Sequence, residues 1–199
     1  YTGPNTSFLD NLQYKFDKRK DKVDCRTDGD IEDGLPLIIG CDANANINCL
    51  VTGQVGSDQK LRILKSFYVK YERKLPELTQ DFCDYYKYLK SKRVIFYYDA
   101  TFVGNSYATH TEDFYQIISR ILRKNGWLVT EVYIGKPWNH LMKQELINRM
   151  FKGKANHMIL INEDNNDDLI ISIESAGCYN NGKDKRGEKL VETDEDRLE

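Results

Sequence analysis

Two apolar runs of this chain each end in an aspartate. Residues 35–42 read LPLIIGCD and residues 93–99 read RVIFYYD. Such β-branched and aromatic runs are typical of buried strands, so each aspartate is predicted at a strand end. A buried carboxylate without a partner costs roughly several kcal/mol unless a cation or strong hydrogen bonds compensate. The pattern therefore predicts that Asp42 and Asp99 lie on neighbouring strands and share a divalent metal ion.

Composition limits the class of protein. The chain has 199 residues, 40% of them hydrophobic, which is enough for one domain with its own core. Its 29 basic and 31 acidic residues nearly balance, so any basic surface is local. No stretch reaches the ~18 to 20 apolar residues of a membrane span, and no signal segment opens the chain. We therefore expect a soluble intracellular domain with no membrane partner.

The cysteines and histidines form no recognisable site. The five cysteines are odd in number and lack CxxC or Cys/His spacing, which argues against a disulfide framework and against structural zinc. The histidines, His110, His140 and His157, are scattered at predicted element edges and are assigned no role. Carboxylate oxygens remain as the predicted metal donors.

Hydrophobic periodicity divides the chain into three parts. Residues 1–34 are polar and are predicted to form an extended lead-in or linker. Residues 35–182 contain the periodic segments and form the predicted domain. Residues 183–199 are highly charged and are predicted to be a tail that leads to a final helix missing from the sequence.

The predicted domain begins with strands and then alternates helices with strands. The first three strands, at 37–42, 47–55 and 61–71, form a hairpin-connected antiparallel meander. The later elements are a helix at 75–89, the strand ending at Asp99, a helix preceded by the capping-box sequence THTE at 109–112, a strand at 127–134, a helix at 137–151, a strand at 157–161 and a last helix capped at Asn166-Asp167. Residues 169–173 alone fit a strand equally well. The side chains predicted to face inward on the 137–151 helix are Trp138, Leu141, Met142, Leu146 and Met150.

This order is the arrangement of the ribonuclease H-like α/β fold. A three-strand antiparallel meander and further parallel strands form one mixed sheet, which is flanked by helices. In that fold the first and fourth strands lie side by side. Asp42 and Asp99 would thereby reach one metal site although two strands of the meander and a helix separate them in sequence.

Three segments carry a resemblance to a known family. They are GCDANANINC at 40–49, FYYDAT at 96–101 and KDKRGEKL at 183–190. Together they resemble the C-terminal nuclease domain of bacteriophage large terminases, the DNA-packaging motor proteins, over roughly residues 35–199. The resemblance implies a two-metal-ion DNA endonuclease that uses Mg²⁺ or Mn²⁺ to hydrolyse phosphodiester bonds.

The resemblance also implies roles for particular residues. Asp42 and Asp99 match the family's first two catalytic and metal-binding carboxylates, with Asp42 bridging two ions. The family's third acidic ligand follows the basic segment on a final helix and is expected beyond Glu199, while the candidates within this chain are Asp194 and Asp196. The basic segment would contact DNA phosphates without reading bases through Lys183, Lys185, Arg186 and Lys189.

The family further implies a substrate and partners. The expected substrate is concatemeric double-stranded DNA, which is cut before and after genome packaging in the cytoplasm of the infected or lysogenic host bacterium. An upstream ATPase domain of the same protein is expected as a partner, since this sequence has no GxxxxGK[ST] loop of its own. Portal and small terminase proteins are further expected partners.

Other interpretations fit the same residues. A junction resolvase or transposase core would use the same aspartate pair, and a non-catalytic fragment would bind DNA or dock to a portal. Asp42 and Asp99 can also be strand-end residues that accept backbone N–H bonds. The basic segment can be a solvated tail, and Asn44 and Asn46 can either support metal ligands or form a turn.

Overall fold

The computed structural model describes the backbone of residues 22–23, 31–44, 46–104, 112–175, 178–179 and 182–183. Side chains are described between residues 31 and 173, with gaps at 45, 105–111 and 140. The strands are β1 (Lys22–Val23), β2 (Leu37–Ala43), β3 (Ile47–Val55), β4 (Leu61–Lys70), β5 (Arg93–Tyr98), β6 (Leu128–Tyr133), β7 (Ile159–Asn162), β8 (Cys178–Tyr179) and β9 (Gly182–Lys183). The helices are α1 (Leu75–Tyr85), α2 (Phe114–Lys124), α3 (His140–Phe151) and α4 (Asp167–Ser175).

Seven strands form one mixed sheet in the order β1-β7-β4-β3-β2-β5-β6. The meander β2-β3-β4 is antiparallel, whereas β5 pairs with β2, and β6 with β5, in parallel. At the other side β7 pairs in parallel with both β4 and β1. The predicted fold class, a ribonuclease H-like mixed sheet with an antiparallel meander and flanking helices, is confirmed.

A bulge in β4 changes the face of the sheet to which the following side chains of this strand point. The pairing of β3 with β4 shifts between Thr52 and Gly53, which leaves Leu64 as the extra residue of β4. Leu64 belongs to one buried cluster, whereas its neighbour Ile63 packs against the other. Gly53 suits this place because a Cβ there would lie 3.0 Å from the carbonyl oxygen of Arg62. The bulge therefore lets β4 contribute side chains to buried clusters on both faces of the sheet.

The larger cluster lies between the sheet and the pair of helices α1 and α2. Leu37 and Ile39 of β2 are fully buried there, as are Leu78 and Phe82 of α1. The ring of Phe82 lies 5.0 Å from that of Trp127, just before β6. Alternate residues of β2 point to this cluster, so Ile38, Gly40 and Asp42 point to the opposite face.

The smaller cluster joins α3 and α4 to β7 on the other face. Its buried members are Phe151, Ile159, Ile161 and Ile170. The buried side chain of Asn166 fixes α4, since its Nδ2 donates to the carbonyl oxygens of Ile63, Leu64 and Asn162. Residues 169–173 are therefore helical, as the Asn166-Asp167 cap indicated.

The sequence prediction differs from the structure in one detail, and a second part of it lies outside the described residues. Helix α2 begins at Phe114, with Asp113 as its N-cap in a capping box with Gln116; of the capping box predicted at 109–112, residues 109–111 lie outside the described part of the chain. Most of the side chains predicted to face inward on the 137–151 helix are exposed, namely Leu141, Met142 and Leu146 of α3 and Trp138, which lies before its N-cap. Met150 packs against the smaller cluster as predicted, and Ile147 and Phe151 join it, because that cluster touches only the last turns of this helix.

The predicted boundaries of the domain at residues 35 and 182 stay a prediction. Within residues 1–34 the described part holds β1, which adds a strand beside β7, and Ile31, which packs against the larger cluster. Among the described residues no helix has the length and apolar character needed to cross a membrane.

Candidate metal centre

Asp42 lies near the end of β2 and its side chain is exposed. It pairs across the antiparallel ladder with Cys49 of β3, which in turn pairs with Tyr68 of β4. Directly opposed residues share a face of the sheet, so these three side chains form a row on the face opposite α1 and α2. The Nδ2 of Asn44 donates to Oδ2 of Asp42 at 3.2 Å. This contact fixes one carboxylate oxygen.

Asp99 follows the last residue of β5 and is partly buried. It is the N-cap of a single 3-10 turn, Ala100–Phe102. Its Oδ1 accepts hydrogen bonds from the backbone nitrogen of Thr101 at 2.8 Å and from the Thr101 hydroxyl at 2.5 Å. Asp99 thus accepts hydrogen bonds that stabilise the turn, as expected for an aspartate with a structural role at a strand end. These bonds use only one of its two carboxylate oxygens, Oδ1.

The two strands that carry these aspartates are direct neighbours. Gly40 of β2 is in register with Tyr97 of β5. Asp42 and Asp99 each follow this last paired position by two residues, so both lie at the same end of the sheet. Residues in register on parallel strands point to the same face, so both carboxylates are directed to the side of the sheet that carries Gly40 and Tyr97.

The thiols beside Asp42 are held in their neutral form. Burial raises the pKa of Cys49, and the negative charge of Asp42 raises it further. Burial likewise raises the pKa of Cys41, with Cys49 and Asp42 adding to the effect. Since the thiolate is the form that binds metals, the raised pKa values make these thiols poorer metal donors than the carboxylates. The donor chemistry is that of hard oxygen atoms, which suits Mg²⁺ and Mn²⁺.

The fit of the site to a divalent ion rests on two carboxylates. Among the described residues, no hydrogen bond reaches Oδ1 of Asp42 or Oδ2 of Asp99, so each side chain keeps one oxygen for a cation. That part of the chain holds no group of three or more acidic, histidine or cysteine side chains placed for a metal. A complete site therefore needs further ligands from solvent, from substrate or from residues outside the described ranges.

Several predicted site residues cannot be located. Asp194 and Asp196 lie outside the described residues, as do Lys185, Arg186 and Lys189. Of Lys183 only the backbone is described, in the short antiparallel pair of β8 with β9. The third acidic ligand and the DNA-binding segment thus stay predictions.

Sequence reasoning missed the support of Asp99 by Thr101. The signal was present, since an aspartate two residues before a threonine at a strand end is a common local capping pattern. For Asn44, the sequence left a choice between a turn former and a support of a metal ligand. Its hydrogen bond to Asp42 favours the second alternative.

Comparisons with known proteins give only remote structural likeness. Neither family models nor curated proteins match the chain. Among solved structures it is similar to RuvC of Thermus thermophilus, with 14% identity, a TM-score of 0.31 and coverage of 56% of this chain and 69% of that one. It is similar to the fowlpox virus Holliday junction resolvase, with 8% identity, a TM-score of 0.38 and coverage of 68% of this chain and 84% of that one. It is also similar to the yeast mitochondrial Holliday junction resolvase Ydc2, with 7% identity, a TM-score of 0.38 and coverage of 78% of this chain and 77% of that one.

Proposed function

We propose that this chain is the metal-dependent endonuclease domain of a viral large terminase, which cuts concatemeric double-stranded DNA during genome packaging. The observation that carries the proposal is the pairing of β2 with β5, because it brings Asp42 and Asp99 to one end and one face of the sheet. The three sequence segments that resemble the terminase nuclease add the substrate and the setting.

Each side chain of the site has a distinct task in this proposal. Asp42 and Asp99 would hold two Mg²⁺ or Mn²⁺ ions, with Asp42 as a ligand of both. Bound there, the ions activate water and stabilise the leaving oxygen of the phosphodiester. Asn44 and Thr101 each fix one oxygen of the neighbouring carboxylate, so that the other oxygen is presented in a constant direction. Such fixed ligands reduce the reorganisation that metal binding requires.

The remaining parts of the proposal concern residues and partners outside the described ranges. Lys185, Arg186 and Lys189, with Lys183, would hold the DNA backbone, and a third acid would complete the metal site. The upstream ATPase domain, the portal and the small terminase protein would bring DNA to the site in the host cytoplasm.

The test is digestion of linear, concatemeric and supercoiled DNA with Mg²⁺ or Mn²⁺. We expect cleavage with either metal, none with a chelator and none with Asp42→Asn. Asp33→Asn is the matched control, because exposed Asp33 lies just before the other end of β2 and undergoes the same chemical change. Cleavage that persists in Asp42→Asn would contradict the proposal.

A four-way junction in the same assay separates the two nuclease interpretations. A terminase nuclease is expected to cut linear duplex at least as well as the junction. Paired nicks restricted to the junction would instead indicate a resolvase, and joining of a DNA end to a second duplex would indicate a transposase core. Binding of DNA without cleavage would support the non-catalytic interpretation.

A further inference from the structure

The segment that links β6 to α3 lies beside the proposed metal centre. The backbone nitrogen of Ala100 donates to the carbonyl oxygen of Gly135 at 2.9 Å, and that of Ile134 donates to the carbonyl oxygen of Tyr98 at 2.9 Å. These two bonds flank Asp99. The chain then turns at Gly135, whose φ of 76° is one that glycine adopts without strain.

This segment exposes a tryptophan and lysines. Trp138 is 56% exposed, whereas the other tryptophan, Trp127, is 3% exposed. Lys136 and Lys143 are also exposed, and residues 134–143 contain no acidic residue. In the described part of the chain no acidic side chain pairs with Lys136. We call residues 134–143 the basic aromatic segment.

Hydrogen bonds hold the chain on both sides of Trp138. Asn139 caps α3, since its Oδ1 accepts a hydrogen bond from the backbone nitrogen of Met142 at 2.8 Å. Three residues before Trp138, Gly135 is bound to the residue after Asp99. Three residues of chain span at most ~10 Å, so the indole begins within that distance of Gly135. In duplex DNA each strand advances about 3.4 Å per nucleotide along the helix axis. The distance from Gly135 to the indole therefore corresponds to at most about three nucleotides.

We infer that the basic aromatic segment binds an unpaired nucleotide within about three nucleotides of the phosphate that is cut. This inference rests on the proposed nuclease function and adds a substrate feature to it. Lys136 contacts a backbone phosphate, and the indole of Trp138 stacks on the base. An indole reaches the face of a base only where the duplex is frayed, gapped or single-stranded, since a paired base is covered by its neighbours.

DNA fits this surface better than a protein partner does. The exposed apolar side chains of Leu141 and Met142 continue from Trp138 and would suit either. The lysines and the absence of acidic residues from residues 134–143 favour an anionic partner, and the two backbone bonds that flank Asp99 bring this segment beside the metal centre.

The test measures binding in the Asp42→Asn background, so that no cleavage occurs. The probes are a labelled single strand, a blunt duplex and the same duplex with a single-stranded overhang, each followed by fluorescence anisotropy over a range of salt. Trp138→Ala should weaken binding to the single strand and to the overhang by about tenfold. Binding to the blunt duplex should stay within about twofold, and Trp138→Phe should keep most of the affinity because the ring can still stack.

Lys136→Gln tests the phosphate contact. It should weaken binding to all three probes and reduce the slope of log K against log salt by about 0.7 to 0.9. The matched controls are Tyr88→Ala and Lys87→Gln. Tyr88 is 85% exposed with the ammonium of Lys87 4.8 Å from its ring, and the pair lies before the start of β5, away from Asp99. The controls should bind all probes as the parent does.

The outcomes separate the inference from the function on which it rests. The inference is overturned if Trp138→Ala binds every probe normally, or loses as much affinity for blunt duplex as for single strand. It is also overturned if the control pair has effects as large. Cleavage by the wild-type chain is measured in parallel: if it persists while the variants bind normally, only the inference fails. If there is neither cleavage nor binding, the proposed function fails and the inference with it.

Discussion

Gly40 of β2 and Tyr97 of β5 are in register on neighbouring parallel strands, and each lies two residues before an aspartate. This relationship places Asp42 and Asp99 at the same end of the sheet. It also gives the carboxylates different surroundings, since Asp42 is exposed whereas Asp99 is partly buried and caps a turn. The two aspartates should therefore respond differently to substitution.

We predict that Asp42→Asn and Asp99→Asn each reduce cleavage at least ~100-fold, since each removes a charged ligand of a hard cation. Asp42→Asn should leave the free energy of unfolding unchanged or slightly higher. Asp99→Asn keeps an oxygen for Thr101 but loses the charge that strengthens both bonds, so a loss of up to ~1 kcal/mol is expected. Cleavage rates and urea unfolding check this. Unfolding of either variant in buffer would show that the aspartate is mainly structural.

We predict that Thr101→Val weakens metal binding without changing the shape of the domain. The variant loses the hydroxyl that donates to Oδ1 of Asp99 but keeps the side-chain volume. Loss of such an outer partner typically costs about 10- to 100-fold in metal affinity or activity. Calorimetric titration with Mn²⁺ gives the affinity directly. Thr101→Ser, which keeps the hydroxyl, should behave as the wild type; equal losses in both variants would exclude the proposed support of Asp99.

We predict that the double substitution Asp194→Asn and Asp196→Asn leaves cleavage within about twofold of the wild type. The resemblance implies a third ligand on a final helix after Glu199, and each anionic ligand adds favourable charge for the cation. Half-saturation with Mn²⁺ should then be in the roughly millimolar range, with Mg²⁺ weaker because it demands a stricter octahedron. A large loss of activity in the double variant would assign the third ligand to these residues.

We predict that the domain loses stability as the pH rises above about 9. Burial raises the pKa of Cys83 from 9.0 to about 12, with the nearby charge of Asp84 adding to the effect. The folded thiol keeps its proton where the unfolded thiol has lost it. The contribution is therefore fully present below pH 9 and is lost progressively as the pH rises to about 12.

The size of this alkaline effect can be measured with Cys83→Ala. Between pH 8 and pH 10 the wild type should lose about 1 kcal/mol more than the variant. The variant is less stable at every pH because it leaves a small cavity in the core, so only the difference between the two pH values is compared. Parallel curves for the two proteins would show that Cys83 titrates normally in the fold.

The sequence predicted the sheet better than the helix surfaces. Periodicity and turn residues located the meander almost to the residue, because local patterns determine hairpins. The exposure of Trp138 and Leu141 could not be predicted from periodicity. An amphipathic pattern shows that a helix has an apolar face, but not which part of that face packs against the rest of the protein. The bond from Thr101 to Asp99 depends on a single 3-10 turn, which periodicity does not detect.

The pairing of β5 with β2 also has a thermodynamic consequence. The two carboxylates come from parts of the chain separated by β3, β4 and α1, so the pair exists only while these parts are docked. A cation that bridges them binds the folded chain and not the unfolded one. Its concentration then acts as a stabiliser, worth about 1.4 kcal/mol at ten times the dissociation constant. The melting temperature, followed against Mn²⁺, would report the docking of β5 without any DNA in the sample.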